Sequence, residues 1–439
     1  MDKAFIKTFG CQMNEHDSSR IAEILKREGF EIIHQMDKAD LVMVNSCSVR
    51  ENPENKVYSI IGRLTIQKKK NPNLIIGICG CVAQQEGRRI LKKRKAVDMV
   101  FGTDNIFKLP EILKGVRGGN RVLFTEWLPR KKSVQNFIPD MELKTGVIEG
   151  CKGQIAITKG CNNFCSYCIV PMTRGRLVSR ELENILEEAK DLINKGAKEI
   201  MLLGQNVNSY SASNNEFYDL LKKMANLVGL QRLRFISPHP NDWNNALSDL
   251  MSEEKVICNQ IHLPFQAGSN RVLKAMKRDH TAEEYLLKVD YLKQKIPDIV
   301  ISTDIIVGYP SETEADFQET LNIMKTVHFF PIYAFKYSPR PGTKAAQLID
   351  DIPTEIKEQR LEAVLTLQKE IQNSFFEKAI DEEYEIFIES FHPKEIGVMN
   401  GRTSGNISVS VSGNSLKIGD LVKVKIIGRK QTSLIGKPL

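Results

Sequence analysis

The chain has 439 residues, which at roughly 100 to 200 residues per domain is enough for two to four domains. Its 41% hydrophobic and 26% charged residues are those of an ordinary globular protein, and no apolar run reaches the roughly 18 residues that a membrane-spanning helix needs. Nine cysteines, an odd number spread over a long chain, exclude a small secreted disulfide scaffold and favour metal or catalytic thiols, while the net charge of +8 points weakly to a polyanionic partner. The opening MDKAFIKTFGCQ lacks the basic and apolar blocks of a secretory leader, so a cytoplasmic location is expected.

In chain order, short apolar runs alternate with helical patterns. AFIKTF is followed by a helix over 17–28, with Ile21, Ile24 and Leu25 on one face and Gly29 as its stop. DLVMVN, a basic helix ending in KKKN, LIIGIC, a further helix and VDMVF continue the alternation. Residues 1–117 are thereby predicted to form an α/β domain on a parallel sheet. Glycine, proline and basic residues cluster in GVRGGN and WLPRKKS, and 118–150 reads as a linker. Six strands at 154–159, 199–204, 233–237, 260–265, 300–307 and 331–337 alternate with helical patterns. This predicts a partial (β/α)6 TIM-like barrel over 151–373 rather than a closed eight-stranded one. After the helical stretch PTEIKEQRLEAVLTLQKEIQ, the segments YEIFIES, NISVSVSG and DLVKVKIIG with Gly and Asn turns predict a small antiparallel β-barrel over 374–439.

The cysteines carry the chemistry. TKGCNNFCSYCIVPMTRG places Cys161, Cys165 and Cys168 in CxxxCxxC spacing just past the first barrel strand, at the edge where such barrels build active sites. A cubane iron–sulfur cluster has four irons, and three thiolates leave one iron open to a group that is not protein. A structural zinc site wants four protein ligands and a second CxxC elbow, which this chain lacks. In the first domain Cys11, Cys47 and Cys81 each follow a predicted strand, and the ends of parallel strands lie along one edge. Three thiols distant in sequence are expected to converge there. Cys79, two residues before Cys81, is read as a core residue and the lesser candidate; Cys151 and Cys258 are read as buried small hydrophobes.

The middle triplet resembles the signature of radical S-adenosylmethionine (SAM) enzymes. TFGCQMNEHDS, NSCSVRE and GCVAQ in front of it, and a last segment similar to the TRAM RNA-binding module, extend the resemblance over nearly the whole chain to the radical SAM methylthiotransferases. TFGCQMNEHDS, HLPFQAGSNRVLKAMKR and YSPRPGTKAA are most similar to the branch that acts on isopentenylated adenosine in tRNA. Met172, Ser311 and Ser46 depart from the residues usual in the family. The resemblance implies two [4Fe-4S] clusters, one on Cys11, Cys47 and Cys81 and one on Cys161, Cys165 and Cys168. It implies two SAM molecules, one a methyl donor and one a radical source, and methylthiolation at carbon 2 of N6-isopentenyladenosine next to the anticodon. Tyr167 is implied near the adenine of SAM, and Gly204 and Gln205 at its methionine end. The implied partners are tRNA carrying N6-isopentenyladenosine, a flavodoxin- or ferredoxin-like electron donor and a sulfur or cluster carrier. The chain is expected to act as a monomer without a membrane, and no residue outside the clusters is named as catalytic.

RNA binding is expected of the tail, where Lys417, Lys423, Lys425, Arg429, Lys430 and Lys437 face one acidic residue, Asp420. Arg130, Lys131 and Lys132 in the linker are further basic candidates. Arg174 and Arg176 stand beside the loop that a flipped-out base must reach. Two alternatives remain open at this point: a sister branch acting on threonylcarbamoyl-adenosine or on a ribosomal-protein aspartate, and a zinc-stabilised RNA-binding protein without catalysis.

Overall fold

The computed structural model describes residues 1–48, 51–128, 147–413 and 416–439, with the backbone alone for 51–55 and 147. The first unit contains β1 (Asp2–Phe9), α1 (Gln12–Arg27), β2 (Phe30–Ile32), β3 (Leu41–Ser46), α2 (Glu51–Lys70), β4 (Ile75–Gly80), α3 (Cys81–Lys93), β5 (Met99–Phe101), α4 (Leu109–Arg117) and β6 (Val122–Phe124). All six strands are parallel, in the order β2-β1-β3-β4-β5-β6. The run LVMVN is apolar on both faces because helices cover both. Leu41 and Met43 pack with Ile21, Leu25 and Leu113 on one side, while Val42 and Val44 pack with Val57, Ile61, Leu64 and Ile90 on the other. The order reverses between β1 and β3, so the crevice of this sheet opens at their carboxyl ends.

Two boundaries differ from the expectation. β6 lies within the stretch read as linker, and so does Val147–Glu149, an antiparallel strand on the edge of the barrel sheet. Both flank the Gly-, Pro- and Lys/Arg-rich stretch whose composition reads as linker. The first helix begins at Gln12 rather than 17, because its opening turns bury Asn14, His16, Asp17 and Ser18, polar residues that an apolar period does not detect.

The barrel strands are Lys152–Ala156, Glu199–Leu203, Arg232–Phe235, Gln260–His262, Val300–Val307 and Ile332–Lys336. They form two ladders, joined between the third and fourth strands by a single Leu233–Ile257 bridge. The six-stranded partial barrel is as expected. Helix Thr354–Ala379 then leads into a closed five-stranded barrel, in which Ser408–Ser412 pairs with Leu434–Pro438 in parallel and every other pair is antiparallel. Order and pairing are OB-like.

The outer units sit on opposite edges of the central barrel. Buried Arg232 and Arg234, at the start of the third strand, donate to the carbonyls of Glu385, Arg402, Thr403 and Ser404 of the last domain (2.7–3.1 Å). That is the amino-terminal edge of the strands. The first domain meets the carboxyl edge, where Met13 of α1 packs with Ala156, Val178 and Leu203.

Candidate functional site at the junction of two domains

Cys11, Cys47 and Cys81 follow β1, β3 and β4, which are neighbours in the sheet, so their α-carbons fall side by side along one edge. Gly80 makes the turn that ends β4: it adopts φ +87°, and a β-carbon there would collide with Asn45 Oδ1 and Ser46 O. The chain thus swings Cys81 out of the strand to open α3, and leaves Cys79 behind in the core, its Sγ 3.6 Å from Val44 O. A buried amide lattice fixes the neighbouring turn. Asn14 Nδ2 donates to Asn45 Oδ1 (3.0 Å), and Asn45 Nδ2 donates to Asn14 O (2.8 Å) and Ser18 Oγ (2.9 Å). Cys47 Sγ lies within hydrogen-bond reach of both other thiols. That contact, and then the Arg174 guanidinium, hold Cys11 and Cys81 down to about 6 against the pull of burial, while the shared hydrogen bonds and burial push Cys47 up. Cys11 is the exposed member; Cys47 and Cys81 are buried.

Cys161, Cys165 and Cys168 lie on the loop after strand Thr158–Lys159, all half-buried. The loop is held from three sides. Cys161 N donates to Gly175 O (3.1 Å), Ser166 Oγ donates to Ala275 O (2.9 Å), and Gly160 N donates to Gln205 Oε1 (2.5 Å). Gln205 therefore does reach the cysteine loop, and Gly204 packs against Thr158 too closely for any side chain. Tyr167 packs with Ala267, Met276, Tyr309 and Tyr337. Burial, then the charge of Cys165, pushes Cys168 up to about 12. Arg278 donates to Cys165 Sγ (3.8 Å) and to Pro264 O (2.6 Å). Beside it His239 and His280 stand ring to ring at 6.2 Å, each with a buried Nε2 that has no hydrogen-bond partner. No local spacing in the sequence marks these three; SPHP and LKAMKR, near strand ends, are the signal it offers.

The two sites face each other. Lys159, two residues before Cys161, pairs with Asp104 and donates to Thr103 O (3.0 Å), and Thr103 Oγ1 donates to Thr173 O (2.8 Å). Arg174, expected beside an incoming base, is instead 3% exposed and pairs with Asp17 of α1 (2.8 Å). Arg176 is exposed at the lip, its guanidinium 5.1 Å from the ring centre of Phe164. In the tail, Lys425, Arg429 and Lys430 are taken up by Asp381, Glu377 and Glu395. Lys417, Lys423 and Lys437 stand exposed, with no ion pair among the described residues. Arg130, Lys131 and Lys132 lie outside the described residues.

Residues 3–102 match the Uncharacterized protein family UPF0004 and residues 155–324 the Radical SAM superfamily. A tRNA-2-methylthio-N(6)-dimethylallyladenosine synthase of Alkaliphilus oremlandii is 43% identical, over 99% of this chain and 92% of its own. One of Aquifex aeolicus is 40% identical, over 100% of this chain and 98% of its own. The chain belongs to the tRNA-2-methylthio-N(6)-dimethylallyladenosine synthase family. Its fold is similar to that of a radical S-adenosylmethionine methyltransferase, TsrM, from Kitasatospora setae, with a TM-score of 0.59 at 14% identity, over 79% of this chain and 77% of that one.

For a synthase of this family the donor sets at the junction fit iron–sulfur ligation. Each offers three thiols and no carboxylate, one of them with two depressed thiols beside a buried cation. The full-length relatives named as synthases and the Radical SAM match do not favour the zinc-stabilised, non-catalytic alternative. Ser311, one of the departures, sits at φ +67°, where glycine is unstrained. Met172 is exposed against Gly342, and Ser46 is buried in the last residue of β3.

Proposed function

We propose that this chain methylthiolates carbon 2 of N6-isopentenyladenosine next to the anticodon of tRNA, with two [4Fe-4S] clusters and two SAM molecules. Cys11, Cys47 and Cys81 would hold one cluster, and Cys161, Cys165 and Cys168 the other. The observation that carries the reading is the opposition of two three-cysteine sites, on the carboxyl edges of two sheets pressed together. When bound, these groups supply one-electron chemistry that takes a hydrogen atom from a C–H no base could deprotonate, and a methylated sulfur to replace it.

The chain's own residues bind and orient. Gln205 holds the amide of Gly160 and so fixes the start of the cysteine loop, where it and Gly204, packed close on Thr158, would meet the methionine end of SAM. Tyr167 offers its ring to the adenine from an apolar wall of Ala267, Met276 and Tyr309. Asp104, Thr103 and Lys159 close the junction beside the cysteines. Arg176 and Phe164 offer a cation and an exposed ring to nucleotides at the lip. The TRAM-like barrel is placed as a phosphate-binding module through Lys417, Lys423 and Lys437. The working form is a cytoplasmic monomer served by a flavodoxin- or ferredoxin-like reductant and a sulfur or cluster carrier.

The test is anaerobic incubation of reconstituted protein with SAM, reductant and isopentenylated tRNA, followed by mass spectrometry of the nucleosides. The expected product is 2-methylthio-N6-isopentenyladenosine. Unconverted isopentenyladenosine, from protein that carries both clusters, overturns the proposal.

A further inference from the structure

Arg174 joins the two sites. It follows the short helix Val170–Thr173 that leaves Cys168, and its backbone N–H donates to Val170 O (2.8 Å), so one rigid loop carries both a thiol of the second site and a guanidinium. That guanidinium crosses the domain junction and faces Cys81 and Cys11. It is 3% exposed. Asp17 lies 2.8 Å from Nη2, yet neither Nη1 nor Nη2 closes an aligned hydrogen bond, although ionised donors buried without partners are costly. The neighbouring buried cations Lys159 and Arg180 are each hydrogen-bonded to a carboxylate, of Asp104 and Glu188. The guanidinium instead reaches Cys81, within hydrogen-bond reach, and acts on Cys11 by its charge.

We propose that Arg174 is a positioning residue for the site of Cys11, Cys47 and Cys81: its fixed charge eases reduction of a cluster held there, and its free donors hold a small anionic sulfur species against it. The inference rests on the reading of those cysteines as cluster ligands. A cation beside a cluster favours the reduced, more negative form, so the potential rises. The planar fork of arginine grips an anion in a way the point charge of lysine does not. Asp17, paired with the guanidinium and itself pushing the Cys81 thiol up, works against the charge.

The test uses the full chain with C161A, C165A and C168A, so that every iron signal comes from the first site. Iron content of this parent comes first: if it holds no cluster, the ligand reading fails and the inference with it. In iron-loaded protein, potentiometric titration followed by electron paramagnetic resonance is expected to show a lower potential for R174Q and a higher one for D17N. Sodium sulfide is expected to bind R174Q about ten- to hundredfold more weakly, as losses around metal sites typically run. R174K should keep the parent's potential and still bind sulfide weakly. Potentials that move together or not at all, with iron retained, overturn the inference. If R174Q cannot hold iron, the other two variants decide: an unchanged potential in D17N, or unchanged sulfide binding in R174K, overturns it.

Discussion

Cys79 and Cys81 are chemically alike and two residues apart, yet one is core and the other stands in the site. The difference is the turn at Gly80, which ends the strand between them and sends the second thiol to a helix start. Histidines 239 and 280 show burial acting on charge. Burial, then repulsion from Arg278, pushes His239 from the ordinary 6.5 down to about 2, and His280 down to about 3. Both values lie below that of the unfolded chain, so the folded protein binds fewer protons, and the stability they contribute is whole above pH 6.5 and declines as pH falls. The loss should reach up to about 1.4 kcal/mol per pH unit for each ring. Urea unfolding at pH 7 and pH 5 is expected to show the decline, and H280N should flatten it. A wild-type midpoint unchanged between these pH values would contradict the assignment.

At the scale of elements, the third barrel strand does two jobs from its two ends. Its carboxyl end leads into the SPHP turn beside the site. At its amino end Arg234 pairs with buried Glu199 (3.0 Å) and donates to the carbonyls of Thr403 and Ser404 (3.0 and 2.9 Å). R234A would leave a buried carboxylate without its cation and Ser404 O without its donor, while Thr403 O keeps only the amide of Asn406 (3.0 Å). The expected cost is about 3–5 kcal/mol. Equilibrium unfolding of the variant measures it, and a change below about 1 kcal/mol would show that the domains are held by something else. The alternation of strands and helices that predicts this barrel was legible because each strand brings a local group of apolar, mostly β-branched or aromatic residues between helical patterns. The strands at 122–124 and 147–149 were not, since each stands beside the Gly-, Pro- and Lys/Arg-rich stretch that reads as linker.

At the scale of the whole molecule, the TRAM-like barrel and the paired cysteine sites occupy opposite edges of the central barrel, whose strands span roughly 3.3 Å per residue. An RNA that reaches both must run along the flank between them. The tail also keeps less free charge than its composition suggests, because three of its six basic residues are paired. Replacing Lys417, Lys423 and Lys437 with alanine is expected to make the slope of log affinity for tRNA against log salt shallower by about two. R176A, at the lip, should lower it by about one. Titrations at several salt concentrations check this; an unaltered slope in the triple variant removes the tail from the interface.

The sequence alone determined the three-unit architecture and the six cysteines worth naming, because strand periods, CxxxCxxC spacing and a cysteine just after each of three strands are local patterns. It could assign Gln205 to the loop's surroundings only by resemblance. The fate of Arg174 was beyond it altogether: nothing local tells a solvent-facing arginine in TRGR from one buried against Asp17, more than 150 positions earlier in the chain. That pairing exists only once two sheets meet carboxyl edge to carboxyl edge. Their meeting is a matter of which surfaces are complementary in three dimensions, and there the tertiary structure decides.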